Sequence, residues 1–488
     1  MKNILSKQSS RFLTTLDYLF HHQSSTISHL ANLSNVSITT VIDDIKKIND
    51  FIAPLSIELD GNHHCHLIHH KKLAIDFIYS NILKNSTEFY LLEKVFFERH
   101  NRLEDYADSL FISVSTLKRI NSKMNKEMKP LGFEITTNPI KIVGDECQIR
   151  NIFVNYFSEK YLERPYPLNN VQKKLFEQLV MSYVDLEKRV LNYPDLEKLR
   201  LILYVSLIRL QNGHHYTEKQ IKKIENRYEF PILTNSIFLQ AFKGIFQIEL
   251  NKTHVIELAY PFLSNHFAFN QEELDVICSE STPHQTDLIK ITQLVTDIEV
   301  SLEIPLSRKK KERLILALMN IRLFTIETSY LIYDKHHYFL TNLARDFPLA
   351  YRFLNHHIIE HDYFGSLKED EYEALIYVLV THWEALLPAI QFLYSEFKVA
   401  LFMNSDTEHT QFLANILNKK FYSRYTFSPI VFLTNEEAFE QFSQFDLILT
   451  NISTTKEFEF PVICIDLYPS KQDIAKLNHM YDELCLGI

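Results

Sequence analysis

The chain has 488 residues, 46% of them hydrophobic, and a formal net charge of −10 at pH 7, so it can form about three to five domains of ordinary size. Its seven glycines lie far apart, which argues against a glycine-rich phosphate loop, and its five cysteines are dispersed and odd in number, which argues against a disulfide framework. Because no apolar run is long enough to cross a membrane and the start lacks a hydrophobic signal segment, we expect a cytoplasmic protein with no membrane partner.

The first 70 residues have the pattern of a winged helix-turn-helix. Hydrophobic spacing predicts helices at residues 12–22, 27–33 and 38–51, followed by a β-hairpin over 56–68. The third helix would be the recognition helix, which lies in the DNA major groove. We expect four of its residues to pack inward: Ile38, Val41, Ile45 and Ile48. Its attraction to phosphate is expected to be weak because acidic and basic residues offset one another. These are Asp43, Asp44, Lys46 and Lys47.

A second copy of this plan, with a stronger positive charge, begins at residue 103. Helix 103–111 precedes a turn in which Ser113 or Ser115 can cap the next helix, 116–129. Two strands within residues 133–143 then form the wing. The outer face of helix 116–129 carries cations against a single acidic residue, Glu127. The cations are Lys118, Arg119, Lys123, Lys126 and Lys129.

The outer faces of the two recognition helices supply the candidate DNA contacts. Cations neutralise phosphates, and short polar side chains reach phosphates and base edges. In the second copy the candidates are Ser115, Thr116, Lys118, Arg119, Asn121, Ser122, Lys123 and Lys126. In the first copy they are Ser37, Thr39, Thr40, Lys46 and Lys47. The charge difference predicts that the second copy is the stronger DNA-binding element.

Beyond the winged copies, the sequence predicts two helical regions and then an α/β region. Two prolines within 164–167 mark a linker, and the sequence is then helical to about residue 280, broken over 279–283 and helical again over 286–390. Two all-α domains of similar length indicate a duplicated module. Beyond them, alternating strands and helices predict a small parallel α/β domain. The strands are expected at 397–403, 430–433, 446–450 and 462–465, and the helices at 407–421, 436–442 and 470–484.

Taken together, these features resemble the Mga and AtxA family of virulence transcription regulators of Gram-positive bacteria. The strongest local match is 103–150, where residues 142–146 with Ile149 and Arg150 are similar to the family's junction between the wing and the next helix. The resemblance implies a multidomain, mainly α fold in five parts. These are winged helix-turn-helix domains at 1–70 and 71–165, phosphotransferase-regulation domains at 166–282 and 283–391, and an α/β domain similar to enzyme IIB at 392–488.

The resemblance also implies a function. The protein would be a transcription activator and not an enzyme, would need no cofactor, and would bind double-stranded promoter DNA as a homodimer. Histidines in its helical domains would receive phosphate from the phosphocarrier protein of the sugar phosphotransferase system, since imidazole is nucleophilic near neutral pH. The candidate acceptors are His214, His215, His266, His336, His337 and His382.

Two features of the sequence limit these expectations. Trp383 is bulky and is expected to bury His382. Residues 401–406 lack the cysteine that closes the first strand of catalytic enzyme IIB domains, so the α/β domain is expected to regulate or dimerise and not to transfer phosphate.

Two other classes of function stay open. An RNA-binding antiterminator would share the regulation domains, but its RNA-binding module is short and rich in β-strands. A metal-dependent enzyme would need a metal site, and the histidine-rich segment 63–70 is the candidate. On an extended strand, His64 and His66 share one face, and two nitrogen ligands fall short of the usual three or four. We therefore predict no metal site.

Overall fold

The computed structural model describes most of the chain, and every statement below concerns the described residues. They are 1–60, 63–100, 102–162, 168–185, 193–222, 224–225, 229–264, 267–268, 270–323, 330–360, 368–393, 396–422, 424–430, 441–453, 458 and 460–486. The chain divides into two compact units. The first comprises Met1–Glu273 and Leu323–Lys335, and the second comprises Leu274–Arg322 and His336–Ile488. The five-domain boundaries stay a prediction.

The first winged copy contains the predicted helices and hairpin, with one further strand. In chain order its elements are α1 (Lys7–His22), β1 (Ser24–Thr26), α2 (Ile27–Ser34), α3 (Ile38–Asn49), β2 (Ser56–Leu59) and β3 (His64–Ile68). The sheet is antiparallel in the order β1-β3-β2. The strand β1 was not predicted because three polar residues carry no alternating pattern. Part of the predicted turn, residues 61–62, lies outside the described residues.

The second copy follows two connecting helices. In chain order the elements are α4 (Ile75–Asn85), α5 (Thr87–Phe96), α6 (Leu103–Ser109), α7 (Val114–Met128), β4 (Phe133–Ile135), β5 (Ile142–Gly144) and α8 (Glu146–Lys160). The wing strands β4 and β5 are antiparallel, with Phe133 opposite Gly144. Gly144 has φ +139, and a Cβ there would overlap the carbonyl oxygen of Gly132, so the junction requires glycine. Asp145 then caps α8 by accepting a hydrogen bond from the Cys147 backbone N–H at 2.8 Å.

The first helical region packs within the first unit. Its helices are α9 (Asn170–Asp185), α10 (Tyr193–Gln211), α11 (Glu218–Lys222), α12 (Ser236–Phe246), α13 (Lys252–Leu258) and α14 (Tyr260–Leu263). The helix α15 (Gln271–Ser279) spans the point where the first unit gives way to the second. The predicted linker at 164–167 lies outside the described residues.

The second helical region precedes the α/β end. Its helices are α16 (Thr282–Leu302), α17 (Arg308–Leu323), α18 (Lys335–Asp346), α19 (Pro348–Asn355), α20 (Glu369–His382) and α21 (Leu386–Leu393), with a π-helical turn at His356–Glu360. Both stretches that the sequence predicts as helical are therefore helical where they are described. None of the described helices is both long enough and apolar enough to cross a membrane.

The α/β end contains four parallel strands. Its elements are β6 (Phe397–Phe402), α22 (Thr407–Lys420), β7 (Tyr425–Pro429), β8 (Leu447–Thr450), β9 (Val462–Cys464) and α23 (Lys471–Leu486). The strand order is β7-β6-β8-β9. The second strand precedes the predicted 430–433, because Tyr425 and Phe427 are the alternate residues that enter the core. Residues 431–440, with most of the predicted helix 436–442, lie outside the described residues.

Candidate nucleic-acid interface and histidine sites

The recognition helix of the second copy, α7, begins at a serine cap. Ser113 accepts a hydrogen bond from the backbone N–H of Thr116 at 3.1 Å, so Ser113 rather than Ser115 is the cap. Its Oγ also lies 2.8 Å from Ser115 Oγ and 2.9 Å from Thr116 Oγ1. Three hydroxyl groups therefore cluster at the positive end of the helix dipole, where DNA phosphates bind well.

The first copy repeats this cluster at the start of α3. Ser37 accepts from the Thr40 backbone N–H at 3.2 Å and lies 2.8 Å from both Thr39 Oγ1 and Thr40 Oγ1. Ser37 thus corresponds to Ser113, and this alignment holds along both helices. The duplication inferred from the sequence extends to individual hydrogen bonds.

The exposed faces of the two recognition helices differ in charge. In α7 the exposed positions after the cap include Lys118, Arg119 and Lys126. The first copy has Ile42 and Asp43 of α3 at the first two of these positions and Asp50, directly after α3, at the third. Ser122 is also exposed, and its α3 counterpart Lys46 pairs with Asp43 at 3.7 Å. Lys47 is exposed as well. The charge contrast predicted from the sequence is therefore present on the folded surface.

Two candidate contacts on α7 have structural roles instead. Asn121 is only 3% exposed and donates a hydrogen bond to the Ile135 carbonyl at 3.3 Å, so its prediction as a DNA contact was wrong. The Lys123 ammonium donates to the carbonyl oxygen of Ile4 at 3.1 Å and to that of Leu5. The helical stripe placed both side chains outward: Asn121 is instead buried against the wing, whereas Lys123 stays exposed but its ammonium is hydrogen-bonded to the backbone of the N-terminal segment.

Two predictions for α3 also need correction. Ile38 was expected in the core but is 46% exposed, because it occupies the first turn next to the cap. Asp44 was expected to offset the lysines on the outer face. It is 4% exposed and accepts hydrogen bonds from Arg11 Nε at 2.7 Å and Nη2 at 3.0 Å. The opposing charge on this face therefore comes from Asp43.

An asparagine at the same position of each recognition helix is hydrogen-bonded to the wing of its own copy. Asn125 accepts from the Ile135 backbone N–H and donates to the Ile135 carbonyl, both at 2.8 Å. Asn49 makes the same two bonds to Ile57, also at 2.8 Å. The sequence analysis did not predict either contact, although both recognition helices have an asparagine at the same position in their last turn.

A cleft of about 380 Å³ runs beside the recognition helix of the second copy. Polar and cationic side chains line it: Lys118, Asn121, Ser122, Asn125, Lys126, Lys129 and Thr137. Three of the predicted DNA contacts that are exposed, Lys118, Ser122 and Lys126, therefore line one concave surface. Ammonium groups with amide and hydroxyl groups are the side chains that bind phosphate and sugar oxygens.

In the first helical region, His214 contacts a carboxylate that also binds the wing. His214 Nε2 is hydrogen-bonded to Glu98, and the same carboxylate pairs with Lys141 at 2.7 Å. Burial raises the pKa of Glu98, but the hydrogen bonds from His214 and Lys141 outweigh burial and bring that pKa below its usual value. Lys141 lies between β4 and β5, so His214 reaches the wing through one side chain.

Two buried arginines also connect the first helical region to the wing of the second copy. Arg209 is fully buried and donates to Glu146 and, at 3.2 Å, to the Ile142 carbonyl of the wing. Arg150 donates to Glu146 at 3.0 Å and to the His214 carbonyl at 3.1 Å. Burial raises the pKa of Glu146, but its bonds to Arg209 and Arg150 lower it below its usual value.

His215 and His337, one in each helical region, each lie beside a buried glutamate. His215 Nδ1 lies 3.2 Å from Glu257 Oε1, and His337 Nδ1 lies 2.6 Å from Glu373 Oε1. Both carboxylates are buried, whereas the imidazoles are 49% and 62% exposed. Where the carboxylate accepts, Nδ1 is the donor, and a ring that carries its only proton there has its lone pair on Nε2. The sequence could not show which acids meet these histidines.

His337 and Glu373 also belong to a possible cation site. With Glu369 they form a group whose potential ligand atoms lie within 4.8 Å of one another. One imidazole and two carboxylates could hold a divalent ion with water as a further ligand. This was not predicted, because the three residues come from two helices.

The remaining candidate histidines lie in different surroundings. His382 is exposed at the end of α20, with Nδ1 3.0 Å from Thr381 Oγ1, while Trp383 is itself buried. The expectation that Trp383 covers His382 was therefore wrong: the two consecutive side chains lie in different environments. His336 contacts the Tyr377 ring at 4.9 Å. His266 lies outside the described residues.

The histidine-rich strand β3 follows the predicted alternation. Cys65 is buried and donates to the Ser25 carbonyl at 3.3 Å, and burial raises the pKa of its thiol to about 11. His64 and His66 lie on the opposite, exposed face near Asp60, at 3.9 and 3.5 Å. The thiol and the imidazoles of this strand therefore do not converge.

Two winged helix-turn-helix units, one with a basic recognition helix, place the protein in the class of DNA-binding regulators. Residues 1–67 and 71–157 match the family model of the Mga helix-turn-helix domain. The resemblance to Mga-type regulators is therefore confirmed, and the matched segments coincide with the two winged copies.

Three curated relatives extend the similarity beyond these domains. A protein of Streptococcus pneumoniae serotype 4, named as a trans-acting regulator, is 27% identical over 92% of this chain and 93% of its own length. The capsule synthesis positive regulator AcpA of Bacillus anthracis is 25% identical over 52% of each chain. AcpB of the same organism, with the same description, is 21% identical over 91% of this chain and 92% of its own length. These relatives are named as regulators and not as enzymes.

Proposed function

We propose that the protein is a transcription activator that binds promoter DNA mainly through α7 and is controlled by phosphorylation of histidines in its helical regions. The basic face of α7, behind a cluster of hydroxyl groups at its N-terminus, is the observation that carries the DNA-binding part. The positive sign follows from the two relatives that are named positive regulators.

The DNA-binding part is tested by a gel-shift experiment with the full chain at a stated salt concentration. Duplex DNA and a hairpin RNA serve as competing probes. We expect binding to the duplex and displacement by unlabelled duplex. Preferential binding to the hairpin would support the antiterminator alternative instead.

Phosphorylation is proposed to occur on Nε2 of His215 and His337. In each case the buried glutamate holds the proton on Nδ1, so the Nε2 lone pair can attack a phosphoryl group carried by a histidine of the phosphocarrier protein. The carrier's N–P bond breaks as the new N–P bond forms, and the carrier imidazole leaves. The Nδ1 hydrogen bond to the carboxylate stabilises the positive charge that develops on the ring.

The acceptors are tested by incubating the full chain with phosphoenolpyruvate and the two general phosphocarrier proteins. Replacing His215 and His337 together by Asn should remove most acid-labile phosphate. The matched control replaces His336 and His382 by Asn and should retain the acid-labile phosphate. Unchanged incorporation in the first variant would contradict the assignment.

The route from the first helical region to DNA is proposed to run through Glu98. A phosphoryl group near His214 would compete with Glu98 for cations, and Lys141 of the wing is one of them. Glu98→Gln should therefore weaken the effect of phosphorylation on DNA affinity, whereas phosphate incorporation should stay unchanged. Equal responses in the wild type and the variant would show that Glu98 does not carry the signal.

A further inference from the structure

Three potential metal ligands from two helices converge at the start of α20. His337 comes from α18, and Glu369 and Glu373 come from successive turns of α20. Residues four apart lie on the same face of a helix, so both carboxylates can reach one point. The potential ligand atoms of the three residues lie within 4.8 Å of one another, and among the described residues this is the one group of three that does so. We call these three residues the α20 site.

The α20 site combines a fixed carboxylate with two side chains that can adjust. The Glu373 side chain is only 5% exposed, whereas that of His337 is 62% exposed and Glu369 is also exposed. Ligand atoms on one zinc ion lie roughly 3 Å apart, because bonds from zinc to nitrogen and oxygen are about 2.0–2.2 Å long. Small movements of the two exposed side chains would therefore bring all three ligands around one ion, with Glu373 as the anchor.

Glu369 has no partner that would explain its position. Within the described parts of the chain, its side chain forms no ion pair and no hydrogen bond. Two carboxylates as close as those of Glu369 and Glu373 repel each other, and a cation bound between them removes the repulsion. The charge of the α20 site therefore favours a positive ligand.

The first helical region provides a natural comparison. His215 Nδ1 lies 3.2 Å from Glu257 Oε1, just as His337 contacts Glu373. However, the residue four positions before Glu257 is Thr253, which carries no charge. A histidine can therefore be held by one buried glutamate without a second acid, and Glu369 is not required for that purpose.

The ligand atoms determine which ion fits the α20 site. One imidazole nitrogen with two carboxylate oxygens suits a transition-metal ion such as Zn²⁺, whereas Mg²⁺ and Ca²⁺ prefer oxygen ligands alone. Three protein ligands leave the remaining position to water, as in zinc sites that stay accessible to solvent. The exposure of His337 and Glu369 gives the ion a path to the site.

A bound ion would remove the lone pair that phosphorylation requires. If His337 Nδ1 binds the ion, the neutral ring carries its proton on Nε2. If Nε2 binds the ion, its lone pair forms the bond to the metal. In both cases Nε2 cannot attack a phosphoryl group, so metal binding and phosphorylation exclude each other at His337.

We propose that the α20 site binds a divalent transition-metal ion, with Zn²⁺ as its probe, and that the bound ion prevents phosphorylation of His337. The metal site depends only on the three side chains, whereas the block rests on the proposed function. The two helical regions would then respond differently, since His215 lies in a group without the second carboxylate.

Zinc binding is measured on the full chain by equilibrium dialysis and metal analysis. Glu369→Gln removes one ligand at an exposed position, and the matched control is Glu408→Gln, an exposed glutamate in the first turn of α22. We expect the affinity of one zinc equivalent to fall at least about tenfold in Glu369→Gln, because even the outer partners of metal ligands contribute about 10–100-fold to affinity. The control should bind zinc like the wild type.

The block is measured as phosphate incorporation with and without zinc in two variants. His215→Asn retains His337 as an acceptor, and His337→Asn retains His215. Zinc should suppress incorporation in the first variant and leave it in the second, which also reports any effect of zinc on the phosphocarrier proteins. Adding Glu369→Gln to the first variant should restore incorporation in the presence of zinc.

Other results would overturn the inference. Equal zinc binding by the wild type and Glu369→Gln would show that the α20 site does not hold the ion. Equal incorporation at His337 with and without zinc, in a chain that binds the ion, would overturn the block. A chain that incorporates no phosphate at His337 without zinc would overturn the proposed acceptor and the block with it, whereas dialysis decides the metal site separately.

Discussion

At the scale of single residues, buried charges connect the helical region to the wing. Arg209 has no exposed surface, and Glu146 is the carboxylate that accepts its hydrogen bonds. A buried cation without its partner is costly because no water replaces the missing interaction. The same carboxylate binds Arg150, so one side chain holds two arginines.

Replacing Glu146 by Gln should therefore destabilise the protein strongly. We expect a loss of about 3–5 kcal/mol in the free energy of unfolding, the range for breaking a buried ion pair. Denaturant unfolding measures it. Glu312→Gln, which breaks an ion pair of exposed Arg308, is the control and should change the free energy of unfolding far less, because solvent screens the exposed pair. Similar losses in both variants would contradict the role assigned to Glu146.

Acid should weaken the connection to the wing. The pKa values of Glu98 and Glu146 lie below the usual 4.5 in the folded protein, so their ionised forms stabilise it. This stabilisation is complete well above pH 4.5 and disappears as the pH falls through the lowered values. Between pH 6 and pH 3 the unfolding midpoint should drop less for Glu98→Gln than for the wild type. An identical drop would show that Glu98 is not one of the responsible groups.

At the scale of elements, an asparagine at the same position of each recognition helix makes two hydrogen bonds to the wing of its own copy. Asn125 and Asn49 each bind both backbone groups of a single strand residue. This bidentate contact sets the distance between the helix and the wing. The two parts can then reach DNA together.

Removing the two hydrogen bonds between Asn125 and Ile135, which we call the clamp, should destabilise the wing locally without disturbing α7. We expect Asn125→Ala to cost about 1–3 kcal/mol, because it leaves the buried Ile135 backbone N–H without an acceptor, while Asn121 still donates to the Ile135 carbonyl. Hydrogen exchange at Ile135 should accelerate, while exchange at Leu117 should not change. Asn49→Ala is the equivalent variant, and its effect should be confined to Ile57. Protection of Ile135 at the wild-type level would contradict the clamp.

The charge contrast between α7 and α3 leads to a prediction about salt. Lys118→Ala with Arg119→Ala should weaken duplex binding and lower the slope of log affinity against log salt by about 0.9 for each phosphate that the variant no longer neutralises. The comparison variant Lys46→Ala with Lys47→Ala on α3 should change the slope less, since Asp43 already offsets part of that charge. A larger effect in α3 would reverse the proposed order of the two copies.

At the scale of the whole molecule, the chain combines a near-neutral DNA-binding third with an acidic remainder. Two compact units divide it, and the first contains both winged copies and the residues that link His214 to the wing. The acidic remainder does not prevent DNA binding, because charges are screened beyond about 8–10 Å at physiological salt. Net charge alone would have suggested the wrong class of partner.

The proposed homodimer is a prediction at this scale. Sedimentation of the full chain should give about twice its mass of 57.7 kDa. A symmetric pair would place four winged units on DNA and favour promoters with two related half-sites. A mass of one chain at micromolar concentration would contradict the dimer.

Sequence alone determined the repeated pattern. The caps, stripes and turns of both winged copies follow local rules, and short-range hydrogen bonds at Ser37 and Ser113 decide them. The charge of α7 and the alternation of β3 were equally legible, because each depends on neighbouring residues. Interactions between residues close in sequence therefore sufficed to predict these elements and their order.

Only the tertiary structure decided what those elements bring together. Asn121, Lys123 and Asp44 looked like surface residues until distant segments covered or paired them, and the exposed His382 looked buried because of its neighbour Trp383. The partners of His214, His215 and His337 come from elements far away in sequence, as does the contact of Lys141 with Glu98. Long-range packing sets these contacts, and no periodic pattern in the sequence encodes which carboxylate meets which histidine.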